Sequence, residues 1–167
     1  MSIDPSCGDQ PSVLERLKAF LTRAGIPFRV QEHAPVYTSE QAAAVRGTLL
    51  SSGAKALVLK VDKRFAMFVL PADRKLDSRK LRGALGIRSS RFASADEVLS
   101  LTTLQPGSIP PFGSLFGLTT HCDPELAANA SINFNAGDHR VSMSMSYDDY
   151  LRVEAPTILD FSAPNDA

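Results

Sequence analysis

The sequence predicts an α+β (mixed α/β) fold, a single domain built on a mixed, mostly antiparallel sheet flanked by helices. Three observations carry this. Ser, Thr or Asp caps open helices early, midway and late in the chain; apolar runs, alternating or continuous, mark strands between them; and several strands follow one another through short turns. Strict strand–helix alternation therefore fails, which argues against a doubly wound fold. With 167 residues, 44% apolar and 22% charged, and no internal repeat or linker, the chain has enough to bury for one core of ordinary size.

Residues 1–11 have little to bury and are expected to form a loose leader, 12–162 the folded domain and 163–167 a polar tail. Ser12 and Glu15 form a capping box for a helix whose apolar stripe is Val13, Leu17, Phe20, Leu21 and Ala24, stopped by Gly25. Ile26 to Glu32 reads as a short strand, and His33-Ala34-Pro35 turns the chain toward Tyr37. Thr38 with Gln41 is a second capping box, opening an alanine-rich helix that ends at Arg46-Gly47.

Lys55 to Asp62 is a strand with Lys55, Leu57, Leu59 and Val61 on one face and Ala56, Val58, Lys60 and Asp62 on the other. Lys55, at its start, either snorkels at the sheet edge or stands over a pocket as a cation. After a turn at Asp62-Lys63-Arg64, Phe65 to Leu70 is apolar at nearly every position, as in a central strand buried on both faces. Between 74 and 91, Arg74, Lys75, Arg79, Lys80, Arg82, Arg88 and Arg91 face Asp77 alone. Asp77 caps a short helix that turns Leu81 and Leu85 inward and several cations outward, for solubility or for contact with phosphates.

Ser94 and Glu97 cap a brief helix through Leu101, Ser114 to His121 reads as a strand, and Asp123-Pro124-Glu125 as a turn or helical start. Ser131 to Asn135 and Arg140 to Ser146 alternate as a hairpin around Asn135-Ala136-Gly137-Asp138. Ser146 with Asp149 opens the last helix, and Thr157 to Phe161 is a closing strand.

The stretch with the strongest chemical character is Gly107-Ser108-Ile109-Pro110-Pro111-Phe112-Gly113. Two prolines stiffen it and withhold N–H groups, so a ligand oxygen there would meet the amides of Gly107, Ser108, Ile109, Phe112 or Gly113. A plain Pro/Gly turn is the alternative.

Cys7 and Cys122 are too few and too far apart for a disulfide framework, and His33, His121 and His139 lack metal-site spacing. No metal or cofactor is expected. Eighteen basic residues balance eighteen acidic ones, which excludes a surface that is basic throughout but not a local patch. No apolar run is long enough to span a membrane and no signal pattern opens the chain, so a soluble protein of the cytoplasm is expected.

The Thr38-Ser39-Glu40 turn, the Lys55-Ala56-Leu57-Val58-Leu59-Lys60 strand and the GSIPPFG loop, in this order, resemble the YbaK/ProX family of aminoacyl-tRNA deacylases, the domain also found as the editing insertion of bacterial prolyl-tRNA synthetases. The likeness spans Val13 to Phe161. Gly107 and Pro111 match the family's GxxxP loop, and Lys55 its strand lysine. The resemblance implies a trans-acting deacylase that hydrolyses the ester of a mischarged tRNA carrying a small amino acid. It assigns catalysis to Lys55, Gly107 and Pro111, and substrate contact to Tyr37, Thr38, Ile109, Phe112, Gly113 and Asn135. Arg79, Lys80 and Arg82 become candidates for tRNA backbone contact. Aminoacyl-tRNA is the implied partner, with a synthetase as a second and a monomer as the working state. At the hairpin this chain has Asn135 where relatives place His or Ser, and Ser142 where some place Asp. Asn135 cannot serve as a general base and also reads as a turn residue.

Two rivals stand beside this. A thiol enzyme on Cys122 would need activation by His121, which as a strand neighbour points to the opposite face. A non-catalytic tRNA- or synthetase-binding module on the same fold would keep the surface and drop the chemistry.

Overall fold

The computed structural model describes residues 10–165; Cys7 and most of the expected leader lie outside the described residues. The first helix, α1 (Val13–Arg23), has both halves of its Ser12–Glu15 capping box and buries Val13, Leu17 and Leu21. Strand β1 (Arg29–Glu32) follows, then helix α2 (Ser39–Arg46). Thr38 caps α2 through the Gln41 amide, but the Gln41 side chain accepts from Tyr37 N–H, so the expected box is only half made.

Strands β2 (Ala54–Val61) and β3 (Arg64–Pro71) form a tight antiparallel pair, and β3 is buried from Ala66 onward. Short β4 (Arg74–Leu76) leads to α3 (Ser78–Leu85), capped by Asp77 and ended by Gly86 at φ 64°. Then come β5 (Ser90–Phe92) and α4 (Ala95–Thr102), the latter with its Ser94–Glu97 box complete. Neither β4 nor β5 has enough periodicity to be seen in the sequence.

Three further expectations are corrected. Residues 114–121 are not one strand: a 3-10 turn at Gly113–Phe116 precedes β6 (Thr120–Cys122), because Glu154 accepts from Ser114 N–H, Ser114 Oγ and Thr120 Oγ1 and draws the segment into a bend. Strand β7 (Ser131–Asp138) continues through the expected turn, with a bulge between Asn135 and Asp138 where Gly137 N–H leaves the ladder for Ser108 O at 2.9 Å. After β8 (Val141–Ser146) and α5 (Tyr147–Glu154), the closing strand is split into β9 (Thr157–Ile158) and β10 (Ser162–Pro164). Buried Asp123 causes the split, taking the Phe161 and Ser162 amides at 3.0 and 2.9 Å.

The strands form a five-stranded sheet in the order β5-β2-β3-β6-β9, a three-stranded sheet β1-β8-β7, and the pair β10-β4. β3–β6 and β6–β9 run parallel and the other pairs of these strands antiparallel. The larger core lies between the two main sheets and joins α1, Val58, Met67, Phe112, Phe134 and Tyr150; the smaller, under α3, joins Leu59, Phe68, Leu81 and Phe161. The two faces of β2 divide between these cores as its alternation predicts. Among the described residues no helix is long and apolar enough to cross a membrane.

Candidate functional site

The pairing of β2 creates the site. Its outer edge is covered by β5 only at Leu59–Val61, and at the other end Gly53 bridges to Asn133 of β7. Between these points the two main sheets separate. The gap is a cavity of about 190 Å3, roofed by α2 and closed by the proline-rich loop. Its lining brings together Tyr37, Thr38, Lys55, Gly107, Ile109 and Asn135 from four stretches of the sequence. Arg46, which the sequence reading did not single out, lies there too.

Lys55 is half-buried and makes no hydrogen bond or ion pair among the described residues. Burial lowers its pKa, an effect partly offset by the charges of Asp73 and Glu40. An unpaired ammonium over a cavity is the second of the two readings its position allowed.

The loop presents fewer amides than its sequence suggested. Ser108 N–H is taken by Gln105 O, Phe112 N–H by Pro110 O, and Gly113 N–H by Thr120 Oγ1. Those of Gly107 and Ile109, both lining the cavity, have no acceptor among the described residues. Pro111, Phe112 and Gly113 do not reach the cavity. The Pro111 carbonyl accepts from Tyr150 Oη at 2.7 Å, and the fully buried Phe112 ring packs edge-on against Phe20, Phe134 and Tyr150. A methyl group on Gly113 would come within 2.4 Å of Thr120 Oγ1. This half of the motif is an anchor, sunk in the core so that the other half is held still.

Asn135 is likewise not a turn residue. Its Nδ2 donates to Gly107 O at 2.6 Å while its Oδ1 accepts from Arg46 Nη2 at 2.8 Å. An amide can satisfy both partners in one orientation only, so Arg46 decides which way Asn135 faces and Asn135 ties down the loop. Arg46 also donates through Nη1 to Asn133 Oδ1 and through Nε to Ser142 Oγ. No carboxylate pairs with it among the described residues, and burial pulls its pKa down to about 10, leaving it charged at neutral pH. His33, of the turn that follows β1, also reaches this set, with Nε2 2.7 Å from Ser142 Oγ.

Arg79, Lys80 and Arg82 lie on α3, over the smaller core, and none lines the cavity. Lys80 is engaged by Asp160 at 3.4 Å and Ser162 O at 2.9 Å. Cys122 is fully buried with its thiol pushed up to about 12, chiefly by burial, and His121 stacks on Phe68 on the other face of the strand. The thiol-enzyme reading has no accessible thiolate to work with.

The lining is rich in donors and contains neither carboxylate nor imidazole. Such a cavity suits a ligand that offers oxygens, and can stabilise charge growing on one of them.

Comparison with known proteins gives four results. The sequence pattern of the aminoacyl-tRNA editing domain matches residues 33–153. The multifunctional Ser/Thr-tRNA deacylase ProXp-y of Escherichia coli (strain K12) is 37% identical over 152 residues, covering 88% of this chain and 91% of that protein. Proline–tRNA ligase of Bacillus licheniformis is 31% identical over 120 residues, 70% of this chain but 21% of the ligase. Among solved structures, hypothetical protein APE2540 superposes with a TM-score of 0.82 over 89% of this chain and all of that one, at 22% identity, a likeness of fold.

Proposed function

This chain belongs to the aminoacyl-tRNA editing domain family, and from that premise we propose that it is a trans-acting deacylase clearing small amino acids from mischarged tRNA. The observation that carries this is the meeting of Lys55 with the free amides of Gly107 and Ile109 around a cavity of about 190 Å3. That volume is below the roughly 300 Å3 at which pockets for drug-sized ligands begin, and fits a short side chain with its ester. Editing by hydrolysis is the chemical answer where binding alone separates small side chains poorly.

The reaction needs water to add to the ester carbonyl carbon and the terminal ribose oxygen to leave, giving the free amino acid and a deacylated tRNA. The positive charge of Lys55 and the two amides suit the oxygen that becomes negative in the tetrahedral intermediate. With no carboxylate or imidazole in the lining, the proton passes between the attacking water and oxygens of the substrate itself, a ribose hydroxyl being nearest. Tyr37 and Thr38 line the amino-acid side of the cavity, and Pro111, Phe112 and Gly113 act as positioning residues. Exposed Arg79 and half-buried Arg82 remain candidates for the tRNA backbone. The stretch shared with proline–tRNA ligases supports work beside a synthetase; we take the monomer as the acting form.

The test is deacylation of tRNAs charged with Ala, Ser, Thr, Cys, Pro and 2-aminobutyrate, by wild type and Lys55→Ala in parallel. Selective hydrolysis that falls by about 100-fold or more in a folded Lys55→Ala supports the assignment, since one oxyanion donor is worth roughly that much. Retained tRNA binding without hydrolysis by wild type would instead indicate the non-catalytic module.

A further inference from the structure

Across the proline-rich loop from the cavity lies a second concavity of about 430 Å3, whose lining includes Tyr37, Thr103, Gln105, Ser108, His139 and Arg140. Tyr37 belongs to both. Its side chain is among the most exposed of the large apolar ones, at 73%, although its main chain is fixed by Gln41. Its ring lies 4.9 Å from that of His139 at 41°. His139 is held as well: Nδ1 stands 3.1 Å from Val36 O, which can only accept, so the hydrogen is on Nδ1. Its Cε1 would be 3.6 Å from a methyl on Gly107, so the imidazole abuts the loop. An exposed tyrosine ring beside a half-buried imidazole, both fixed by their neighbours and continuous with the cavity, suits an occupant that rewards a flat apolar surface.

Charge selects between the two rims. A strand whose terminal ribose sits in the cavity must leave over one of them. Near Lys55 stands Asp73, which repels phosphate. On the Tyr37 side stands Arg140, whose guanidinium pairs with no carboxylate among the described residues; Asp138 is the acid there, and its Oδ1 is engaged by the Arg140 amide. We propose that the second concavity is a nucleobase subsite, in which the Tyr37–His139 pair stacks the base next to the esterified nucleotide and Arg140 meets the phosphate between them. The inference rests on the deacylase reading for its substrate. Stacking of one base on an aromatic ring is worth about 1–3 kcal/mol, a factor of roughly 5 to 150 in affinity.

The test compares two non-hydrolysable ligands. One is a trinucleotide with 2-aminopurine as its middle base and an amide-linked serine on its terminal adenosine; the other is the same seryl-adenosine alone. With wild type the aminopurine fluorescence is expected to be quenched. His139→Ala, which lies outside the first cavity, should abolish the quench and weaken the trinucleotide by the factor above while changing the mononucleotide far less; Tyr37→Ala should also abolish the quench but, because Tyr37 lines both concavities, weaken the mononucleotide too, though less than the trinucleotide, with Tyr37→Phe close to wild type. Equal weakening of both ligands would confine Tyr37 to the first cavity and overturn the subsite, as would an unquenched aminopurine or failure of wild type to bind the trinucleotide. Hydrolysis of charged tRNA by wild type is scored separately: activity without quenching sinks only the subsite, and quenching without activity only the deacylase.

Discussion

At the scale of single residues, the site depends on two cations that differ in their company. Among the described residues Lys55 has no hydrogen-bond or ion-pair partner, which leaves it open to a substrate oxygen; Arg46 is held through all three of its nitrogens by Ser142, Asn133 and Asn135. Because burial lowers the Lys55 pKa, its charge is complete below that lowered value and is lost as pH rises through it. The alkaline fall in kcat/KM is therefore expected below the 10.5 of an ordinary lysine, and a Lys55→Arg variant that retains activity should lack that fall. For Arg46 the informative change is made at its neighbour. Asn135→Asp keeps an acceptor for the guanidinium but sets a carboxylate against Gly107 O, so the protein should melt near the wild-type temperature while kcat drops by about tenfold or more through loss of loop placement. Arg46→Met should instead cost about 1–3 kcal/mol for each acceptor left unpaired and out of reach of water. If Asn135→Asp turned over substrate at the wild-type rate, the tie between Asn135 and the loop would have no catalytic weight.

At the scale of elements, the proline-rich loop is stiff because it is fastened at both ends. Asn135 holds its front, while Tyr150 and the set Thr120, Ser114 and Glu154 hold its rear. Glu154 gives this fastening a pH dependence. Burial raises its pKa above 4.5, against the pull of its hydrogen bonds, so the folded protein binds this proton more tightly than the unfolded chain. The associated stability is fully present below 4.5 and is lost as pH rises through the raised value. Urea titrations should thus show Glu154→Gln gaining on wild type from pH 4.5 toward neutrality; a gap independent of pH would mean that the carboxyl is not desolvated. The helix caps could be read from spacing because each bond spans three residues. The rear fastening could not, since Ser114 and Glu154 meet only after β6 and α5 have packed.

At the scale of the whole molecule, Asp123 is the corresponding joint, binding the end of the chain to the middle of the large sheet. Asp123→Ala leaves the buried amides of Phe161 and Ser162 without acceptors, at about 1–3 kcal/mol each, and a clear drop in melting temperature is expected with the cavity's chemistry unchanged in the surviving folded fraction. Cys122, within the same joint, should resist alkylating reagents until the protein unfolds. The sequence by itself determined the mixed fold, five helix starts, the β2–β3 pair with its two faces, the family likeness, and the choice of Lys55 and the loop as candidates, because caps, alternation and turns are set by residues a few positions apart. Only the tertiary structure decided which loop amides are free, that Phe112 points into the core, and that the polar face of the hairpin, Asn133, Asn135 and Ser142, is roofed by α2 rather than open to water. In one dimension a polar strand face and a helix-ending arginine each look like ordinary surface; it is the separation of the two sheets at the uncovered edge of β2 that joins them in one site.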